Sequence, residues 1–154
     1  MADSLFPASM NDSWNEGIEA ENESSEISFG RSWRFDFDQG EFVLTPTRKI
    51  ASCTGTDAWV MWCRKAIRTP RYRHLIYSRS YGQELDELIG KGYSRAVLES
   101  EIQRMVSEAL LVDPRTADVD GFYFSWQEAG CSFTCQVTNI YDEVLRLEGS
   151  VGDG

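Results

Sequence analysis

Residues 94–115, SRAVLESEIQRMVSEALLVDPR, decide the fold. Leu98, Ile102, Met105, Ala109 and Leu110 recur at spacings of three, four and seven, which puts them on one stripe of an α-helix that can be buried. Ser94 stands where an N-cap belongs, its hydroxyl oxygen placed to accept a first-turn amide. At the other end Pro114 has no N–H and its ring clashes with helix continuation, so the helix stops close to Asp113. The spacing therefore predicts a helix over 95–112, followed by Asp113-Pro114-Arg115 at its junction with a strand pattern. A guanidinium fixed just past a helix stop offers a rigid fork of five donors to carboxylates or carbonyls. Taken alone, the same triplet also fits a plain helix stop followed by a solvated arginine.

Strand patterns lie on both sides of this helix. After it, Phe122, Phe124 and Trp126 alternate with Tyr123 and Ser125, and Glu128-Ala129-Gly130 leads into a return strand, Cys131 to Ile140. Tyr141-Asp142-Glu143 makes a turn into Val144 to Leu147, and residues 149–154 read as a flexible tail. Before it, Trp33-Arg34-Phe35-Asp36-Phe37 alternates, turns at Asp38-Gln39-Gly40 and returns as Glu41 to Leu44, a β-hairpin. Ile50 to Thr54 is a further strand. A helix capped by Thr56 or Asp57 follows, with Trp59, Trp62, Cys63, Ala66 and Ile67 as its stripe and Thr69-Pro70 as its stop. Tyr81-Gly82 opens a short helix from Gln83 to Ile89, closed by glycines at 90 and 92. Antiparallel hairpins packed with about three helices define an α+β fold, one compact domain over residues 29–148.

The charge is uneven. The 154 residues carry 25 acidic and 15 basic side chains, a net −10. Seven of the carboxylates, from Asp3 to Glu26, fall within the first 30 residues, which hold no Lys or Arg. Leu5, Phe6, Trp14 and Ile18 are scattered there without period, so residues 1–28 are expected to form a disordered acidic arm. The acidic balance argues against a nucleic-acid surface. A signal peptide would need a basic start and a continuous apolar stretch, and no run reaches the length of a transmembrane helix, so synthesis in the cytoplasm is expected.

Several residue groups invite a chemical reading and favour a structural one. Cys53, Cys63, Cys131 and Cys135 lack the paired knuckle spacing of a zinc site and read as core thiols, with Cys131 and Cys135 on one strand face. Asp36, Asp38 and Glu41 lack the twelve-residue ladder of a calcium loop and read as turn formers. Gly90-Lys91-Gly92 lacks the spacing of a phosphate loop. Arg71 to Tyr77 mixes arginines with aromatics; Arg71 and Arg73 are expected to reach carboxylates of the domain or of a partner. The single His74 has no adjacent nucleophile and reads as a packed side chain. Glu84, Asp86, Glu87, Glu99, Glu101 and Glu108 are the carboxylates a glycosidase would draw on. A general acid among them needs a setting that raises its pKa, and helical surface positions do not supply one.

Taken in order, WRFDFDQGEFVL at 33–44, RTPRYRHLIYS at 68–78, YGQELDELIGKGYS at 81–94, the long helix, and FYFS with SFTCQV near the end resemble the T4 gene 25-like baseplate wedge family. The likeness is greatest to tail proteins of contractile phages and defective prophages of Gram-positive bacteria, and runs from about Trp33 to Leu147. In that family the helix-end triplet is usually Glu-Pro-Arg; Asp113 stands here one methylene shorter. The resemblance implies an α+β fold, no enzymatic activity and no cofactor. It implies a structural wedge component of a virion or phage-tail-like baseplate, linking the inner baseplate to the hub and tube and helping start sheath assembly. The implied partners are a baseplate J-like wedge protein, other inner-baseplate and hub or tube proteins, and the sheath protein. Asp113, Pro114 and Arg115, with Arg71 and Arg73, are the expected partner-binding residues. An adaptor in a related contractile secretion or injection system is the alternative. Peptidoglycan hydrolysis, the activity suggested by the lysozyme-like label some members have carried, is disfavoured.

Overall fold

Nested antiparallel ladders begin the described chain. The computed structural model describes residues 26–71, 78–79, 81–88 and 90–152. Strand β1 (Arg31–Trp33) pairs with β4 (Ser52–Thr54), Ser32 opposite Cys53. Within that pair lies the hairpin of β2 (Phe35–Asp36) and β3 (Glu41–Phe42), Phe35 opposite Phe42. The Asp36 carboxylate accepts the amides of Asp38 and Gln39 at 2.9 and 3.0 Å, and Gly40 takes the left-handed conformation at φ 73°. These polar groups make the turn, as their spacing suggests.

Helix α1 (Thr56–Arg68) buries Ala58, Trp59, Cys63, Ala66 and Ile67. Its N-cap corrects the expectation. Gly55 occupies that position with no side-chain cap, because the two candidates have tertiary partners: the Thr56 hydroxyl donates to Glu143, and Asp57 holds Arg34 at 2.7 Å.

The helix expected over Gln83 to Ile89 is a single 3-10 turn, Leu85–Leu88. The cause lies at its start. Gln83 donates its amide to Thr69 O at 3.0 Å and accepts from Arg71 N at 2.7 Å, while its side-chain oxygen takes the Leu85 amide. Gly82, at φ 96°, presses against the Thr69 carbonyl so closely that no Cβ fits. The backbone groups that would begin an α-helix are already spent on the 69–71 segment, leaving two α-helices among the described residues rather than about three.

Helix α2 (Arg95–Leu111) is capped by Ser94, whose Oγ accepts the Val97 amide at 3.4 Å. Ile102, Met105, Val106, Ala109 and Leu110 are buried and Leu98 packs beside them. Three long strands follow: β5 (Thr116–Gln127), β6 (Gly130–Asn139) and β7 (Val144–Gly152), antiparallel with β6 in the middle. β5 starts well before Phe122, its alternation masked by register shifts between Thr116 and Asp118 and between Asp120 and Tyr123. Such bulges place extra residues in one strand and break the period of two. β7 runs through Gly149–Gly152, residues the pattern assigns to a flexible tail, because their backbone completes the ladder with β6 from Phe133 to Gly130.

One face of this sheet carries Cys131, Phe133, Cys135, Val137 and Leu147, packed with Trp59, Cys63, Ile102, Val106 and Leu110 of the helices. Burying these apolar side chains is the main favourable term for the domain. The other face shows Tyr123, Ser125, Ser132, Gln136, Glu148 and Ser150 exposed. This is the α+β arrangement expected from the sequence. Residues 1–25, most of the expected acidic arm, lie outside the described residues, as do Arg73 and His74. No described helix is long and apolar enough to cross a membrane.

Candidate functional site

The Asp113-Pro114-Arg115 triplet sits where several elements meet. The last turn of α2 closes with Asp113 N donating to Leu110 O at 3.3 Å, and Thr116 N donates to Asp113 O at 3.0 Å. That turn folds Arg115 back over Asp113. Nη2 donates to Oδ2 at 2.6 Å and Nε to Oδ1 at 2.9 Å, while Oδ1 also accepts the Arg115 amide at 2.8 Å. Nη1 donates to the Phe29 carbonyl at 2.8 Å, pinning the chain just before β1. The guanidinium carbon lies 5.9 Å from the Trp62 ring. Arg115 is 14% exposed and Asp113 6%. A fork engaged with a carboxylate on one side and a carbonyl on another is well satisfied within the chain.

The turn between β6 and β7 locks to the same junction. Ile140 N donates to Arg115 O at 3.0 Å. Asn139, fully buried, accepts the amides of Tyr141 and Glu143 through Oδ1 at 2.8 and 3.0 Å and donates through Nδ2 to Glu143 at 2.8 Å. The Thr56 hydroxyl and then the Asn139 amide hold the Glu143 carboxyl below its ordinary pKa. Trp59 donates its indole N–H to Thr116 Oγ1 at 3.0 Å inside the core. Sequence reasoning missed Asn139, Glu143, Thr56 and Phe29. Asn139 left a local signal, a side-chain acceptor two residues before Tyr141 at a strand end; the partners of Thr56 and Phe29 are 87 and 86 residues distant and left none.

Around this locked core lie exposed apolar side chains: Leu111 at 46%, Val112 at 48%, Tyr141 at 57% and Val144 at 61%. Pro114 is exposed between the two charged residues.

Arg71 closes a different junction. Its side chain is 8% exposed, with Nη1 donating to Glu84 at 3.0 Å and Glu108 at 3.1 Å and Nε to Gly82 O at 3.2 Å. It thus reaches carboxylates of its own domain, tying the 3-10 turn to α2. Arg104 bridges Glu101 and Glu108, and Glu99 accepts the Trp126 indole N–H at 2.7 Å. The four cysteines are free thiols, all buried. Burial pushes both Cys63 and Cys135 up to about 12, with the Asp113 carboxylate adding to the effect at Cys63. Cys131 and Cys135 share the core face of β6.

A family of contractile injection system sheath initiators matches residues 31–142. The phage-like element PBSX protein XkdS of Bacillus subtilis (strain 168) is 32% identical over 140 residues, which span 90% of this chain and 92% of that protein. Among solved structures, a Geobacter sulfurreducens protein given the provisional name of tail lysozyme superposes with a TM-score of 0.54 at 13% identity, covering 66% of this chain and 94% of the other. That likeness is one of fold alone. A chain of the anti-feeding prophage baseplate gives 0.49 at 18% identity, over 81% of this chain and 86% of that one. The chain belongs to the contractile injection system sheath initiator family. Membership makes it a component of a contractile injection system that initiates the sheath.

Proposed function

We propose that the chain is a non-catalytic part of the inner baseplate, joined to a baseplate J-like wedge protein and to hub or tube proteins, and that its sheet gives the first sheath subunits an edge to anneal to. The observation that carries this reading is the open sheet. Among the described residues, β5 and β7 each pair on one side only, with β6. Their outer backbone groups suit an incoming strand. The triplet serves the wedge partner indirectly: the Asp113–Arg115 pair fixes the junction, and Leu111, Val112, Pro114 and Tyr141 present apolar surface.

Particles assembled without this chain are expected to carry tubes with no sheath, and added protein is expected to restore it. Normally sheathed particles in its absence would sink the assignment. Leu111→Asp with Val112→Asp is expected to abolish co-purification with the wedge protein while leaving the melting temperature close to wild type.

A non-catalytic role is supported by the engagement of the helical carboxylates. Glu84 and Glu108 hold Arg71, Glu101 holds Arg104 and Glu99 holds Trp126, whereas glycoside hydrolysis uses two carboxyls facing one another across a saccharide groove. Purified protein is expected to release no reducing ends from peptidoglycan above buffer. Release that is abolished by Glu99→Gln or Glu108→Gln would reverse this reading. An adaptor in a contractile secretion or injection machine is compatible with the same family, and neighbouring genes separate it from a phage tail. In either case the chain is made in the bacterial cytoplasm before incorporation.

A further inference from the structure

Between the β2–β3 hairpin and α1 runs a groove of about 570 Å³ with Trp33, Phe35, Phe37 and Phe42 on one wall and Met61 and Trp62 on the other. Phe35 stands edge-on to Phe37 and Phe42, with ring centroids 5.1 and 5.2 Å apart. Trp33 and Phe42 are each 49% exposed, so large aromatic side chains meet solvent side by side, as they do on surfaces that bind. Among the described residues, Lys65 is the charged member of the lining. The Arg31 guanidinium lies over the Trp33 ring at 5.1 Å and that of Arg68 over Phe37 at 4.8 Å. The hairpin's carboxylates are placed elsewhere. Asp36 accepts the amides of its own turn, which contains Asp38, and Glu41, opposite Asp36, alternates away from Phe42. The groove is apolar with a cationic rim. None of its lining residues belongs to β5, β6 or β7, so it lies apart from the sheet edges.

We infer that this groove is the docking site of the chain's own amino-terminal arm, through the segment around Trp14 and Ile18. Those two side chains supply apolar groups, and Asp12, Glu16 and Glu19 set carboxylates beside them. This is the complement of an aromatic trough rimmed by Arg31, Lys65 and Arg68. The arm holds no Lys or Arg to oppose that rim. Its tether fits as well. The chain is anchored just ahead of β1, where Arg115 holds the Phe29 carbonyl at 2.8 Å. Glu26 and Trp33 are seven residues apart, at most about 25 Å even when fully extended. Ile18 and Trp14 lie eight and twelve residues before Glu26, separations that a coil spans at roughly 15–20 Å. A tether of that length keeps the segment near the groove at about millimolar effective concentration, so a weak contact suffices. The apolar patch at Tyr141 is flanked by exposed Asp142 and Glu143, whose charge opposes the arm's. Docked in the groove, the arm covers aromatic surface that a free chain would otherwise present to other molecules.

The test uses the full-length chain with a nitroxide attached at Ser13→Cys, the four native thiols being buried, and reads the paramagnetic broadening of backbone amides. Broadening is expected to gather at residues 31–37, 42 and 61–65. It should fall at least about threefold between roughly 50 and 500 mM salt as the charges are screened. Trp14→Ser with Ile18→Ser should reduce it by a similar factor. Arg31→Glu with Lys65→Glu should do the same, at least about threefold, whereas Lys91→Glu should leave it unchanged. Mixing isotope-labelled chains free of nitroxide with spin-labelled chains at natural isotope abundance separates a contact within one chain from one between copies, and the mixture should show no broadening at the groove. The inference is overturned by broadening that is absent or centred on another face, by equal broadening in the mixed sample, which would make the occupant a second copy's arm, or by broadening undiminished in the Trp14→Ser, Ile18→Ser chain.

Discussion

Arg115 grips Asp113 two residues back along the chain, Nη2 to Oδ2 at 2.6 Å and Nε to Oδ1 at 2.9 Å, across the proline that ends α2. The pair is short, two-pronged and largely withdrawn from solvent. A guanidinium read from the sequence as reaching for a partner is thus committed first to its own chain, where it also holds the Phe29 carbonyl.

Arg115→Ala should therefore destabilise the fold as well as weaken assembly. Removing one member of a buried pair strands the other charge, at a cost of about 3 kcal/mol. Denaturant unfolding of the variant checks this. Arg115→Lys keeps the charge without the fork and should fall between. Wild-type stability in Arg115→Ala, with assembly lost, would instead make the side chain a direct interface anchor.

Gly149 lies opposite Phe133, and a Cβ built there would run into the phenyl ring. Gly149→Ala should cost about 1–3 kcal/mol by overpacking. Combining it with Phe133→Leu should cost less than the two separate losses together, since the second change opens the space the first needs. Additive losses in a double-mutant cycle would remove the steric explanation.

Glu143 gives the acid limb of stability a specific source. Its carboxyl titrates below the ordinary 4.5 because the Thr56 hydroxyl and the Asn139 amide hold the charged form. A group with a depressed folded pKa contributes its full stability above the unfolded pKa and loses it as pH falls through the folded value. Glu143→Gln should therefore narrow the gap to wild type below about pH 4.5, and unfolding curves taken between neutral and acidic pH should converge. A gap that is constant with pH would exclude the mechanism.

Cys63 and Cys135, pushed up to about 12 by burial, should resist thiol reagents in the native state near neutral pH. Thiolates are the reactive species, and core thiols react only on opening. Mass spectrometry after timed alkylation should show both sites labelled only when denaturant is added. Rapid native labelling at either position would place it outside the sealed core.

The sequence was legible wherever a local rule suffices. The apolar stripe from Ile102 to Leu110 and the Ser94 cap predicted α2, Thr69-Pro70 ended α1, and the carboxylate of Asp36 made its turn. The class of α+β domain and the family followed from motifs in order. The Gln83 helix failed because Thr69 and Arg71 claim its first backbone groups, and the early half of β5 was hidden by bulges that break alternation.

Chain chemistry by itself determined α1 and α2, the turn at Asp36, the apolar faces of both helices and of β6, and that the proline ends α2 beside an acid and an arginine. These follow from steric limits and from periods of two and 3.6, which act over a few residues. Tertiary structure alone decided where the polar side chains spend their hydrogen bonds. It brought Arg115 to Phe29, Thr56 to Glu143 and Arg71 to Glu108, and it gathered Arg34, Arg64, Arg68 and Arg146 around one groove. Donors and acceptors carry no record in the sequence of a partner many residues away; the packed core sets those distances, and burial then makes pairing obligatory.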